Sequence, residues 1–149
     1  MKKVVKFKKL NPDAIIPDYA HIGDAGMDLY SVQDDTIEPL EWKLIPTGLA
    51  CELPAGTEGQ VRSKSGIALK NGVFVLNTPG TIDENYRGEI GVILCNLNKA
   101  PYEIKKGQKI AQYVINQVEY VDTIEITEEL SSTDRGEDGF GSSGLGKNK

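Results

Sequence analysis

The sequence has few of the residues on which metal clusters and nucleophile–base pairs depend. It contains two cysteines, Cys51 and Cys95, and one histidine, His21. A zinc site of cysteines and histidines would need nearly all three together, and two cysteines do not suggest a secreted disulfide framework. A serine or cysteine nucleophile with a histidine base would have to use His21. That residue lies in the polar stretch AHIGDAG, so an ordinary loop histidine is the favoured interpretation.

The sequence also lacks long apolar runs and an excess of basic residues. No run approaches the roughly 20 apolar residues of a membrane-spanning helix. The basic N-terminus MKKVVKFKKL has no apolar region like that of a signal peptide. The net charge of −5 argues against a broad basic surface for nucleic acid. We therefore expect a cytoplasmic protein with no membrane and no nucleic-acid partner, although a small phosphorylated ligand would need only local donors and a divalent metal.

Short runs of strand-forming residues make up most of the chain. The 149 residues are enough for one domain with a core. Turn signals divide nine candidate strands, at residues 4–10, 27–32, 43–53, 59–63, 73–77, 89–97, 102–105, 109–117 and 123–126. Many short strands at this spacing predict an all-β sandwich or barrel. One short helix is expected at residues 66–72.

The stretch NTPGTIDENYRGEI, residues 77–90, is the most informative part of the sequence. Turn-forming residues stand at both of its ends, and it carries Asp83 directly after Ile82, with Tyr86 near its exit. It is too long for a tight hairpin, and a loop of this length is more often functional than idle. We therefore predict a site centred on this loop. Taken alone, Asp83 is better explained as a turn or cap acid, and Tyr86 as a core tyrosine.

Four further polar segments stand among the strands and in the tail. They are AGMDLYS (25–31), RSKSGIALK (62–70), GQKIAQ (107–112) and RGEDGFGSSG (135–144). Taken singly, each favours an ordinary role: Asp28 an outward acid, Ser65 a helix N-cap, Gln112 a solvated side chain. The composition of the tail favours disorder. Arg135, Phe140 and the glycine-flanked serines would equally suit a mobile flap over a nucleotide.

Together, in this order, the loop and the four segments resemble the five motifs of the trimeric dUTP diphosphatases (dUTPases). The resemblance runs from about Ala25 to Gly144. It implies a β jelly-roll catalytic domain at residues 1–130 and a flexible flap at residues 131–149. It also implies Mg²⁺ as the cofactor and a homotrimer whose sites are shared between subunits.

The resemblance implies a role for each matching residue. Asp83 would be the general base that activates water for attack on the α-phosphorus of dUTP, giving dUMP and pyrophosphate. Tyr86 would pack on the deoxyribose and leave no room for a 2′-hydroxyl. Asp28 would hold magnesium indirectly, through metal-bound water. The remaining matches would bind uracil and phosphates: Lys64, Ser65, Gly66, Asn77, Gly80, Thr81, Ile82, Ile90, Gly91, Gln112, Arg135, Phe140, Gly141, Ser142 and Ser143.

Two positions depart from the family pattern. Lys64 stands where the family usually has arginine, so the charge is kept and the planar fork is lost. Asp138 places an acid in the tail where a small residue is common. Two other functions are weighed against the resemblance: a dCTP deaminase, which would release ammonia from dCTP, and a non-catalytic nucleotide-binding module, which would have a damaged site.

Overall fold

A computed structural model describes residues 3–146 of the chain. The chain divides into two compact units, Met1–Glu119 and Tyr120–Lys149. Residues 1–2 of the predicted catalytic domain and residues 147–149 of the predicted flap lie outside the described residues. Within the described residues, no helix is long and apolar enough to cross a membrane.

The first unit is built almost entirely from short strands, which confirms the predicted all-β class. One helix, α1, covers Ser65–Asn71. The eleven strands of the described chain are β1 Lys6–Lys9, β2 Met27–Tyr30, β3 Asp35–Ile37, β4 Trp42–Pro46, β5 Leu49–Glu52, β6 Thr57–Arg62, β7 Val73–Val75, β8 Gly80–Ile82, β9 Gly91–Asn96, β10 Tyr102–Ile104 and β11 Lys109–Gln117.

The strands pair antiparallel in four small sheets. The largest has the order β2-β11-β6-β8, and a three-stranded sheet has the order β4-β9-β7. Two pairs, β1-β5 and β10-β3, complete the set. Neighbours in these sheets come from distant parts of the sequence. The fold therefore brings the polar segments of β2 and β11 beside β6 and β8.

The core follows from alternation along these strands. In β6, buried Thr57, Gly59 and Val61 alternate with half-buried residues, as expected for a strand with one face on the core. Tyr113 of β11 is fully buried, and its ring lies against Gly59, where an added Cβ would come within 1.9 Å of the hydroxyl oxygen. Glycine is therefore required at residue 59 for the largest core side chain to fit.

Four expectations about local structure differ from the fold. The predicted strand 43–53 is two strands, because Gly48 between them adopts a left-handed φ of 68°. Strands β3 and β8 were not predicted, since each has only three residues, too few for an alternating pattern to be recognised in the sequence. The predicted strand 123–126 was wrong. These residues have no strand assignment and no partner strand among the described residues, and a strand requires a partner for its ladder hydrogen bonds.

Candidate active site

The loop that follows β8 forms one wall of a pocket of about 310 Å³. Strands β4 and β9 also contribute to its lining. The lining residues are Leu44, Pro46, Thr81, Ile82, Asp83, Tyr86, Glu89, Gly91 and Ile93. Five of the predicted site residues, from Thr81 to Gly91, therefore meet in one cavity.

Internal hydrogen bonds give the loop a defined shape. Arg87 Nη1 donates to the carbonyl oxygens of Glu84, at 2.7 Å, and Tyr86, at 2.9 Å. The amide of Tyr86 donates to the carbonyl oxygen of Asp83 at 3.1 Å. Each of these bonds spans three residues or fewer. The guanidinium of Arg87 thus holds the turn that presents Asp83 and Tyr86.

Two acids fasten the same loop to the rest of the unit. Glu84 Oε2 accepts a hydrogen bond from the amide of Gly56 at 2.7 Å, and Glu89 Oε1 accepts one from the amide of Gly48 at 2.7 Å. Asp83 differs from both. It is exposed, and among the described residues no hydrogen bond or ion pair engages its carboxylate. Of the three acids, Asp83 is therefore the one available for chemistry.

A second pocket, of about 290 Å³, brings together residues from three of the other polar segments. It is lined by Ala20, Asp24, Ala25, Gly26, Asp28, Lys64, Lys109 and Gln112. Three of these, Asp28, Lys64 and Gln112, are predicted site residues. Donors and acceptors are both present, as a site for a charged, oxygen-rich ligand requires.

The carboxylate of Asp28 lies between two ammonium groups. It is only 6% exposed, and it accepts from Lys64 Nζ on Oδ1 at 2.5 Å and from Lys109 Nζ on Oδ2 at 2.6 Å. Burial alone would raise the pKa of Asp28, but the hydrogen bonds from Lys109 and Lys64 outweigh it and hold the pKa below its ordinary value. The same bond raises the pKa of Lys109. Asp28 is therefore a charged acid, held between two ammonium groups.

The four-stranded sheet contributes residues to both pockets. Asp28 on β2 is the register partner of Gln112 on β11, and Gln112 is in turn the partner of Arg62 on β6. On the far side of β6, Gln60 faces Thr81 of β8. The side-chain amide of Gln112 donates to the carbonyl oxygen of Ser63 at 2.8 Å. The order β2-β11-β6-β8 thus runs from the acid–lysine cluster to the loop of Asp83.

Several predicted site residues lie outside the two pockets. Asn77 is exposed and packs its side-chain amide against Gly80, which is buried. Ile90 is fully buried; its amide donates to Leu49, and its carbonyl accepts from the Thr47 hydroxyl. Ser65 and Gly66 are the first, exposed residues of α1, directly after Lys64.

The second unit contains the predicted tail residues in a series of turns. Arg135 Nε donates to the carbonyl oxygen of Asp138 at 2.8 Å. Phe140 is fully exposed and adopts a left-handed φ of 47°. The amide of Ser142 donates to the carbonyl oxygen of Gly139 at 3.1 Å. The turns leave the Phe140 ring and the hydroxyls of Ser142 and Ser143 exposed.

The structure adds residues that sequence reasoning did not single out. Lys109 lies in the segment GQKIAQ, and its proximity to Gln112 was the available signal. Leu44, Pro46 and Ile93 give the first pocket an apolar wall. Their strands pair only in the folded sheet, so their spacing along the chain could not indicate this wall. Within the described residues, no group of three or more His, Cys, Asp or Glu could hold a metal ion.

Known proteins match this chain over the region that contains these residues. The family model described as dUTPase matches residues 12–144. A deoxyuridine 5′-triphosphate nucleotidohydrolase of Clostridioides difficile is 56% identical over 141 residues, covering 95% of this chain and 98% of the relative. One from Trichodesmium erythraeum is 56% identical over 140 residues, covering 94% and 98%.

Solved structures give the same relationship at lower identity. A dUTPase of Staphylococcus bacteriophage 80alpha, solved with dUpNHpp, has a TM-score of 0.90 and 29% identity. It covers 97% of this chain and 100% of that one. A point mutant of the dUTPase from phage phi11 of S. aureus, described as coordinating a structural Mg(II) ion, has a TM-score of 0.79 and 26% identity. It covers 86% and 99%.

Proposed function

The chain belongs to the dUTPase family and hydrolyses dUTP to dUMP, and we propose that Asp83 activates the attacking water. A bond forms between the water oxygen and the α-phosphorus. The bond from that phosphorus to the oxygen bridging to the β-phosphate breaks, and pyrophosphate leaves with its electron pair. Asp83 accepts the water proton, and no covalent enzyme intermediate forms.

The observation that carries this proposal is the environment of Asp83. Its exposed carboxylate lines the same pocket as Tyr86 and β8, while Glu84 and Glu89 are committed to backbone amides. A general base has to lie within reach of the water it deprotonates. An uncommitted acid in a cavity of about 310 Å³ meets that requirement.

The uracil and the sugar are assigned to the first pocket. Ile82 and Gly91 line it, and main-chain donors and acceptors of these residues would distinguish uracil from cytosine by their reversed pattern. Asn77 would add a further contact from the start of the loop. The ring of Tyr86 would pack on the deoxyribose and exclude a ribose 2′-hydroxyl by steric conflict.

The phosphates are assigned to the second pocket. Lys64 and Lys109 supply two ammonium groups that can donate to phosphate oxygens, while Asp24, the second acid of the pocket, accepts from the amide of His21. Gln112 and Ser65 would add neutral donors beside them. These groups position the triphosphate and neutralise its charge, and the two effects would account for most of the rate.

The residues fit magnesium in an indirect role. Each oxygen of Asp28 accepts one lysine hydrogen bond, and a carboxylate oxygen has a second lone pair available for a water molecule. Magnesium keeps several waters and binds substrate phosphates, which agrees with the lack of a multi-acid cluster in the described chain. When bound, it would neutralise charge on the triphosphate, and Asp28 would orient it through metal-bound water.

The tail is proposed to close the site after substrate binds. Phe140 would stack on uracil, and Arg135 with Ser142 and Ser143 would hold the terminal phosphate. The exposed ring of Phe140 supports this assignment, because an isolated aromatic side chain gains from covering an apolar face.

A homotrimer is proposed to complete these sites. On β4, Trp42 and Leu44 are 62% and 65% exposed, while Ile45 on the opposite face is fully buried. Leu40, two residues before Trp42, and Leu97, two residues after its register partner Cys95, are also exposed. Leu44 lines the pocket of Asp83. A second copy packed on this apolar face would therefore border the site and supply the tail that closes it.

The reaction would serve two purposes in the cell. It would supply dUMP for thymidylate synthesis, and it would lower dUTP so that uracil stays out of DNA. An assay of pyrophosphate release with dUTP, UTP, dCTP and dTTP tests the proposed function. Release from dUTP alone is expected. Ammonia released from dCTP would indicate a deaminase, and binding without turnover of any nucleotide would indicate a non-catalytic module.

A further inference from the structure

The ring of Tyr86 lies directly over Gly88. A Cβ atom added to Gly88 would come within 2.3 Å of the Tyr86 hydroxyl oxygen and 2.5 Å of the ring carbon that carries it. Non-bonded heavy atoms do not approach this closely. With any residue other than glycine at position 88, the ring would have to leave its place.

The cause is space and not backbone conformation. Gly88 does not adopt the left-handed φ found at Gly48 and Gly56, so its φ does not by itself require glycine. Among the loop residues, the added methyl group would therefore meet the Tyr86 ring first. This separates Gly88 from the glycines whose substitution strains the chain itself.

The ring is also fixed at its tip. The Tyr86 hydroxyl donates to the carbonyl oxygen of Glu89 at 3.0 Å. Glu89 is in turn fastened to the amide of Gly48. The ring thus packs on Gly88 and is held by the hydrogen bond to Glu89. Tyr86 is nevertheless 43% exposed and lines the pocket. Contacts of this kind hold an aromatic ring in one position.

We propose that Gly88 is a specificity-determining residue, whose missing side chain gives the Tyr86 ring the position in which it excludes a ribose. The inference rests on the proposed function, in which that ring packs on the deoxyribose. Steric exclusion discriminates only if the excluding group cannot move aside. A ring displaced from Gly88 would lose its bond to Glu89 and with it the fixed position.

The test is the ratio of kcat/KM for dUTP to kcat/KM for UTP, measured by pyrophosphate release in Gly88→Ala. The ratio is expected to fall by about tenfold or more, toward the ratio of Tyr86→Ala. Asn85→Ala, an exposed position in the same loop, is the matched control and should keep the ratio of the unaltered protein. An unchanged ratio in Gly88→Ala overturns the inference.

Tyr86→Ala separates failure of this inference from failure of the proposed function. If Tyr86→Ala keeps full discrimination, the proposed role of the ring is wrong. If Tyr86→Ala loses discrimination and Gly88→Ala does not, only the role of Gly88 is wrong. In the double variant the ring is gone, so Gly88→Ala should cause no further loss. A further loss would show that Gly88 acts independently of the ring.

Folding gives a second readout. If Gly88→Ala does not fold, the double variant with Tyr86→Ala should fold again, because the methyl group then has free space. Circular dichroism and thermal unfolding measure the folding of Gly88→Ala and of the double variant. A double variant that also fails to fold would show that the clash with the Tyr86 ring is not the cause of the misfolding, and would overturn the inference.

Discussion

Lys109 Nζ lies 2.6 Å from Oδ2 of Asp28, on the opposite side of the carboxylate from Lys64. The acid is buried, while the side chain of Lys109 is about half exposed. An acid that is buried without partners becomes neutral. The two lysines are therefore the reason that Asp28 stays charged at the centre of the second pocket.

This relationship predicts a change in acid stability for Lys109→Met. Asp28 has a pKa below its ordinary value of 3.8, so its contribution to stability is present above that pH and is lost as the pH falls through the lowered pKa. Without Lys109, burial is less opposed and the pKa rises. The midpoint of acid unfolding, followed by circular dichroism from about pH 5 to pH 2, should move to higher pH.

A lysine of the same charge provides the control. Lys105 pairs with Glu103 at 3.7 Å, and both side chains are exposed, so Lys105→Met changes the net charge equally without uncovering a buried acid. Its midpoint should stay near that of the unaltered protein. Equal midpoints for the two variants would contradict the stabilisation of Asp28 by Lys109.

Asp83→Asn should remove turnover and leave nucleotide binding. The amide has the size of the carboxylate but cannot accept the water proton, so a loss of at least about 100-fold in kcat is expected. Pyrophosphate release measures turnover, and calorimetry with a non-hydrolysable dUTP analogue measures binding. Glu38→Gln, at an exposed acid that lines neither pocket, should retain full activity. A fully active Asp83→Asn would exclude Asp83 as the base.

Deletion of the chain after Ser132 should leave the fold intact and remove most of the rate. The strands of the first unit all end by Gln117, so none is cut, while Arg135, Phe140 and the serines are lost. Circular dichroism checks the fold, and pyrophosphate release checks the rate. Removal of residues 146–149 alone is the control, since the family match ends at residue 144. Normal kinetics after the longer deletion would refute the flap.

Trp42→Glu should weaken the trimer. A charge on the exposed apolar face of β4 would have to be buried between subunits without a partner, which is unfavourable. Light scattering coupled to gel filtration should show about three times 16.3 kDa for the unaltered protein and a smaller mass for the variant. Ile22→Glu, at an exposed apolar residue in a loop, is the control. A trimer that persists in Trp42→Glu would place the interface elsewhere.

The sequence predicted the all-β class because its strands are short, alternating and divided by turn residues. It also placed Asp83, Tyr86 and Gly91 in one site, and the fold brings them to one pocket. It did not predict Lys109 beside Asp28, since their contact depends on the register of β11 against β2, with an irregularity between Lys109 and Ala111. Register is set by side chains of the whole sheet and not by either segment alone.

Glu84 and Glu89 connect the loop of Asp83 to turns that lie far away in the sequence. Their partners, the amides of Gly56 and Gly48, belong to the β5–β6 and β4–β5 connections, where both glycines have left-handed φ angles. The length of those two connections is therefore under the same constraint as the loop of Asp83. An insertion of one residue at Gly48 or Gly56 would displace the amide that fastens Glu89 or Glu84, so a change made in a distant turn would alter the position of Asp83.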